Sequence, residues 1–222
     1  EKGVLLPGMT QPVDPATADP EKAPALEPYI IQSTLLARRA DVEAVGGYRH
    51  VPNSEDSDLF WRLAERGALV NLTEKLAKYR VHTASVSSSI VNGRIMAVGS
   101  QLGALSAVRR RAGRPDLVFS YELHTALKDA VTLEAMCGLA VAQLDPDEAA
   151  HLRVAAAAKL MELARYRPYE LDIPDCAFIR AALPGAAALT VQNQKEIEWY
   201  VTVTAARLVR QVRRHPFLCR PG

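Results

Sequence analysis

Asn53-Ser-Glu-Asp-Ser-Asp-Leu-Phe-Trp-Arg-Leu63 opens on an acidic cluster and runs directly into an amphipathic segment. Leu59, Phe60 and Leu63 share one helical face, Asp56 and Asp58 fall in or near the first turn, and Gly67 stands where such a helix would stop. Just upstream, Arg39 to Val45 predicts a brief helix closed by Gly46-Gly47, because glycine tolerates the left-handed cap. Ile30-Ile-Gln-Ser-Thr-Leu-Leu-Ala37, Ala68-Leu-Val-Asn-Leu72 and Leu76 to Val81 are short and rich in apolar and β-branched residues, which predicts strands. Helices and strands alternating in this way predict an α/β domain, or part of one, over residues 1–90.

Further out the character changes on both sides. Pro7, Pro12, Pro15, Pro20, Pro24 and Pro28 are too frequent for a helix or a central strand, so residues 1–28 predict an extended loop lying over a surface. Beyond about residue 91, Ile95, Val98, Leu102, Leu105 and Val108 recur at helical spacing, and a second helix is expected from about Val118 to Leu144. A third starts at Asp145-Pro-Asp-Glu148, with an N-cap aspartate, proline at the first helical position and a glutamate placed for a capping box. A fourth is expected from about Thr190 to Arg214, with breaks at Pro168, Pro174 and Pro184. Residues 91–222 therefore read as an all-helical module.

Composition narrows the function classes. A formal charge of +2 with 23% charged residues gives no tail for polyanions, and 6% aromatics with no groove-reading motif argues against nucleic acid. Cys137, Cys176 and Cys219 are odd in number and widely spaced, which fits a reducing compartment better than a disulfide framework. No signal-peptide pattern follows Glu1, and no uncharged apolar run approaches the roughly 20 residues that span a bilayer. These features predict a soluble, cytoplasmic chain. Arg109-Arg-Arg111 and the run Arg207 to Arg214 are basic. With Val203, Leu208, Val209 and Val212 interleaved, the last helix can lie peripherally on the inner face of an anionic membrane, or be an ordinary solvated helix. Trp61 and Trp199 are candidates for stacking on sugar rings, with core packing as the default, and Cys137 reads as a core residue.

The acidic cluster invites a chemical reading. Inverting transfer of a sugar to a hydroxyl needs a carboxylate within hydrogen-bond reach to take the hydroxyl proton, and positive charge on the departing diphosphate. Asp56 at a helix mouth suits the first task, favoured in its charged form by the helix dipole and opposed by Glu55 beside it. The alternative is structural: Asp, Glu and Ser are common before helices, and Asn53 can simply cap this one.

Five motifs follow one another in order: Ser33-Thr-Leu-Leu-Ala-Arg38-Arg39, Val45-Gly-Gly-Tyr48, Glu55-Asp56-x-Asp58-Leu59-x-x-Arg62-Leu63, Tyr79-Arg-Val-His82 and Ser85-Val-Ser87. In order and spacing they resemble the acceptor half of family 2 glycosyltransferases of the GT-A fold. The resemblance implies a partial GT-A nucleotide-diphospho-sugar transferase sheet followed by the helical module. It implies Asp56 as general base, with Glu55 its partner touching acceptor or donor sugar. Ser33 and Thr34 would lie on a strand approaching the donor sugar, Arg62 and Arg80 would join the substrate-binding set, and Arg62 would also orient the helix or its carboxylates. His82 would help hold a divalent metal, manganese or magnesium, or the diphosphate. The partners implied are a nucleotide-sugar donor and a glycan or lipid-linked acceptor, as in polysaccharide biosynthesis at the cell envelope.

The family's nucleotide-binding βαβ region and its aspartate-x-aspartate metal motif would precede Glu1, so the chain is expected to be inactive by itself. Asp56-Ser-Asp58 has that pattern but belongs to the Glu-Asp motif. The competing class is a non-catalytic helical interaction module carrying a glycosyltransferase remnant.

Overall fold

The computed structural model describes residues 15–78, 89–166 and 170–214. Its elements in chain order are α1 (Arg39–Ala44), α2 (Glu55–Ala64), α3 (Ile90–Arg111), α4 (Tyr121–Asp129), α5 (Leu133–Ala140), α6 (Pro146–Tyr166), α7 (Ile173–Ala182) and α8 (Val191–Arg214), with short 3₁₀ turns between some of them. Helix makes up 66% of the structure and strand 1%, with no sheet, which overturns the α/β expectation and with it the partial GT-A sheet. Among the described residues the one ladder-like pairing is the isolated antiparallel bridge Asp19–Leu26.

The reason lies in backbone hydrogen bonding. A strand satisfies its N–H and C=O groups only against a neighbouring strand, and these segments do not meet one. Gln32–Thr34 instead winds into a 3₁₀ turn, its Thr34 hydroxyl donating to the Ile31 carbonyl at 3.0 Å. In the second segment Leu69 packs against α2, the Asn71 amide donates to the Tyr29 carbonyl at 2.8 Å, and Val70 and Leu72 face outward; of the third, Leu76 is exposed and Tyr79, Arg80 and Val81 lie outside the described residues. Alternation is present without pairing.

α3 is the axis of the molecule. Along one side Ser54 meets Gly99, Asp58 meets Gly103 and Glu65 pairs with Arg110, so α2 lies beside α3 and runs in the same direction. Glycine is required at 99, where a Cβ would sit 2.8 Å from the Pro52 carbonyl oxygen. On its other side α3 packs against α6, its Arg109 near the C-terminal end meeting Glu148 near the start of α6, so those two run antiparallel. Their shared core includes Ile95, Val98, Leu102, Leu152, Leu160 and Leu163, all buried.

The sequence-marked start of α6 folds as expected: Glu148 N donates to Asp145 Oδ1 at 2.9 Å and Asp145 N to Glu148 Oε2 at 3.1 Å. The helix expected over Val118–Leu144 is two. Ser120 caps α4 and Thr132 caps α5, and the Arg94 guanidinium donates to the Val131 carbonyl between them at 2.9 Å. Where the sequence predicts a break at Pro174, the chain forms α7. It is a helix that tolerates proline in its first turn, under a reciprocal Asp172–Asp175 capping box.

The proline-rich loop is also more buried than expected. Ala23 packs among Val154, Ala158 and Ile197, and Ala25 among Trp61, Ala104 and Ala107. Ala25 N donates to the buried Gln101 Oε1 at 2.9 Å, and Lys22 pairs with Glu196 of α8 at 3.3 Å. Small side chains let this segment strap α2, α3, α6 and α8 together. Pro7 and Pro12 lie outside the described residues.

Candidate active site

The Glu-Asp motif divides into two kinds of carboxylate. Asp58 is fully buried and held by two arginines: Arg62 Nη2 at 2.7 Å and Nε at 3.1 Å on one oxygen, with Arg49 Nε at 3.0 Å on the same oxygen and Arg49 Nη2 on the other. Arg62 also donates to the carbonyls of Val45 at 2.5 Å and Gly47 at 2.7 Å. That fastens α2 to the turn after α1, where Gly46 and Gly47 take φ of 79° and 65°. The Arg62 donors thus point inward, to Asp58 and to the Val45–Gly47 turn. Arg49 continues to Asp116 at 2.9 Å and Ser106, and Arg110 bridges Asp116 at 2.9 Å to Glu65 at 2.8 Å. Three arginines thus balance three carboxylates between α2 and α3.

Asp56 has a different environment. It is half-buried, it accepts from the Ser57 N–H at 2.8 Å, and no cation pairs with it or with Glu55 among the described residues. Burial pushes its carboxyl above the ordinary range. Negative Glu55 and Glu27 push the same way, against the Ser57 N–H that favours the charged form. The expected charge conflict with Glu55 is present, but it is burial, the largest contribution, that outweighs the help of the helix terminus.

The capping alternative is not realised. The Asn53 side chain donates to Asn92 Oδ1 at 3.2 Å, and the Ser54 hydroxyl turns to the carbonyls of Asn53 and Met96. Neither caps α2, whose N-cap residue Ser54 makes no side-chain capping bond. Asn53 has φ of 56°, a left-handed conformation that asparagine tolerates better than most residues and that aims the chain into the helix mouth.

Glu27 was missed. It comes from the strap, accepts from the Ser57 hydroxyl at 3.0 Å, and its other oxygen lies 2.9 Å from Lys159 Nζ as an ion pair. Lys159, buried on α6, also meets Glu162 at 3.2 Å. A glutamate in a proline-rich loop and a lysine a hundred residues downstream carry no local signal of this meeting. Ser33 and Thr34 lie exposed in the 3₁₀ turn rather than on a strand. Arg80, His82 and the Tyr79–His82 and Ser85–Ser87 motifs lie outside the described residues. Among those described, no three or more His, Cys, Asp or Glu side chains gather to hold a metal, so no metal ligand is assigned to them.

The remaining candidates are structural. Trp61 is fully buried against Ala25, Ala104 and Ala107, and Trp199 is exposed. The Arg109–Arg111 triplet is spent internally, on Glu148, on Glu65 with Asp116, and over the Trp61 ring at 5.7 Å. Burial pushes the Cys137 thiol up to about 12, which makes it inert. Cys219 lies outside the described residues, and among them no helix is long and apolar enough to cross a membrane. No protein-family model, curated protein or solved structure matches this chain.

Proposed function

We propose that the chain carries the acceptor-side portion of an inverting glycosyltransferase, with Asp56 as general base. One observation supports this above the others. Of the two aspartates in the motif, Asp58 is locked into ion pairs, while Asp56 is left without a counter-ion in an environment that strengthens it as a base. Proton-accepting power follows pKa, so a carboxylate raised by burial and like charge suits proton abstraction better than one held by arginine.

In the proposed step the acceptor O–H bond breaks and its proton passes to the Asp56 carboxylate. The acceptor oxygen bonds to the anomeric carbon as the bond to the nucleoside diphosphate breaks. Glu55 sits beside Asp56 to contact a sugar hydroxyl, and the Asp58–Arg62 pair fixes the rotation of α2 so that Asp56 keeps its aim. A divalent metal, if bound, would supply positive charge to the leaving diphosphate. The donor is a nucleotide sugar, and the acceptor a glycan or lipid-linked sugar.

The test is Asp56→Asn in the polypeptide that carries this chain, assayed for release of nucleoside diphosphate across a panel of nucleotide sugars and membrane-derived acceptors. The amide keeps the shape and cannot take the proton, so kcat should fall about 10²–10⁴-fold with donor affinity nearly unchanged. Turnover above about a tenth of wild type removes Asp56 from that role. No nucleotide-sugar consumption by the wild type, under conditions where the chain is folded, favours the helical interaction module instead.

A further inference from the structure

A cavity of about 180 Å³ lies between the C-terminal halves of α6 and α8, far along the chain from the acidic cluster, lined by Arg165, Arg207 and Arg210 together with Glu170, Thr204 and Gln211. Its lining thus brings together three arginines and one glutamate. Arg207 Nη1 is buried and has no hydrogen-bond partner among the described residues. The Arg165 guanidinium lies over the Tyr200 ring, 5.9 Å from its centroid.

The unremarkable explanation is that arginines late in a helix complement its dipole. That accounts for their charge and not for the buried Nη1. A donor withdrawn from water and left unmade is costly, and native proteins rarely keep one without a partner to supply. Two or more arginines converging on a small polar cavity match the tetrahedral oxygens of a phosphoryl group, which accept from guanidinium edges in pairs. Glu170 on the rim repels such a group and sets its affinity below what the arginines alone would give.

We infer that the α6–α8 cavity is a binding site for a phosphoryl group. Arg207 and Arg165 donate to it, Arg210 adds charge at the mouth, and Thr204 and Gln211 offer further polar contacts. The site is independent of the transferase proposal. Its ligand is either a soluble phosphorylated molecule or the phosphate of a lipid headgroup.

Titration calorimetry of the intact chain with inorganic pyrophosphate at low ionic strength tests it. The expected result is saturable one-site binding, weakened at least about tenfold in Arg207→Met and in Arg210→Gln, and tightened in Glu170→Gln. Arg210 and Glu170 are exposed, so those two variants stay informative if Arg207→Met fails to fold. No saturable heat with pyrophosphate, or equal affinity across wild type and the folded variants, overturns the site. Co-sedimentation with phosphatidylcholine vesicles containing phosphatidic acid, displaced by pyrophosphate and not reproduced by phosphatidylserine, assigns the lipid source. Pyrophosphate binding without vesicle binding assigns the soluble one.

Discussion

α2 and α6 are both buried helices, held by different mixtures of apolar packing and directed bonds. α6 sinks Leu152, Ala155, Ala156, Leu160 and Leu163 into its neighbours, an apolar and largely non-directional grip. α2 has apolar contacts on one side through Leu59, Phe60 and Leu63. Against α3, however, it sets Asp58 beside Trp61, and that aspartate is closed by Arg62 and Arg49 on specific atoms. Apolar burial tolerates small rotations, whereas a three-arginine, three-carboxylate network does not. The helix whose orientation matters for the proposed chemistry is therefore the one fixed by directed bonds.

The largest break in that comparison comes from Asp58→Ala. It leaves Arg62 and Arg49 facing each other in a largely buried setting with no carboxylate between them. Removing one member of a buried pair costs about 3–5 kcal/mol. Leu160→Ala, at a fully buried apolar position of α6, falls in the range of about 2–5 kcal/mol. The two should differ in kind as well. Asp58→Ala should abolish proposed activity even at temperatures where circular dichroism shows the variant folded, while Leu160→Ala should lower stability and spare turnover. Equal effects on turnover at matched folded fractions would erase the distinction between the two helices.

A smaller effect is expected at the seam itself. In Gly99→Ala the new methyl meets the Pro52 carbonyl at 2.8 Å, a backbone atom that cannot swing away, so overpacking of about 1–3 kcal/mol is expected. Gly138→Ala on α5 meets nothing within 4 Å and should stabilise by about 0.4–1 kcal/mol through helix propensity. Urea midpoints of the two variants should move in opposite directions. A gain at both positions would mean that α2 does not press on α3 there.

Acid separates the two classes of carboxylate around α2. Against burial, which would raise it, hydrogen bonds from Ser106 and Arg110 and the charge of Arg49 hold the Asp116 carboxyl below its ordinary value of 3.8. Its contribution is complete above that value and drains away as pH falls below it. Asp56 has the opposite sign. Its raised pKa means that folding becomes less favourable as pH climbs from about 3.8 through the raised value. Asp56→Asn removes that cost. The variant should therefore melt above wild type near pH 7 and lose its advantage near pH 3, a modest stabilisation alongside a large loss of the proposed activity. A variant less stable than wild type at neutral pH would show that Asp56 is a structural carboxylate like Asp58.

How far the sequence went follows the range of the forces involved. α3, α6 and α8 were legible because helix hydrogen bonds are local and the apolar period repeats within the segment. The Asp145-Pro-Asp-Glu148 start was legible for the same reason. Asp172-Ile-Pro-Asp175 carries the same logic with the proline one position later, and is harder to see because Pro174 reads as a breaker as readily as a first-turn residue. The strand expectations failed because a strand is specified by its partner, and Ile30–Ala37 and Ala68–Leu72 find none. Within the motif, residue types and order were visible. Which aspartate would be locked and which left open was not, since that depends on Arg49 reaching across from a loop and on Glu27 arriving from the strap.

The smallest expected effect lies on the face where α2 and the bundle differ most in what covers them. Val70, Leu72 and Leu36 are 64%, 65% and 96% exposed, beside an α2 whose Ser57–Leu63 stretch is buried. A side chain that stays in water folded and unfolded contributes little to the difference between those states. Leu72→Ser and Leu36→Ser should each shift stability by no more than about 0.5 kcal/mol. Exposed large apolar residues on unpaired extended backbone nevertheless favour self-association, so the double variant should elute later, or at a more uniform mass, in size exclusion with light scattering at high concentration. An unfolding free energy that drops by more than about 1 kcal/mol on either substitution would mean that these residues are covered in solution. The segments flanking α2 would then have a partner surface in the protein, and their alternating pattern would have to be explained by that contact.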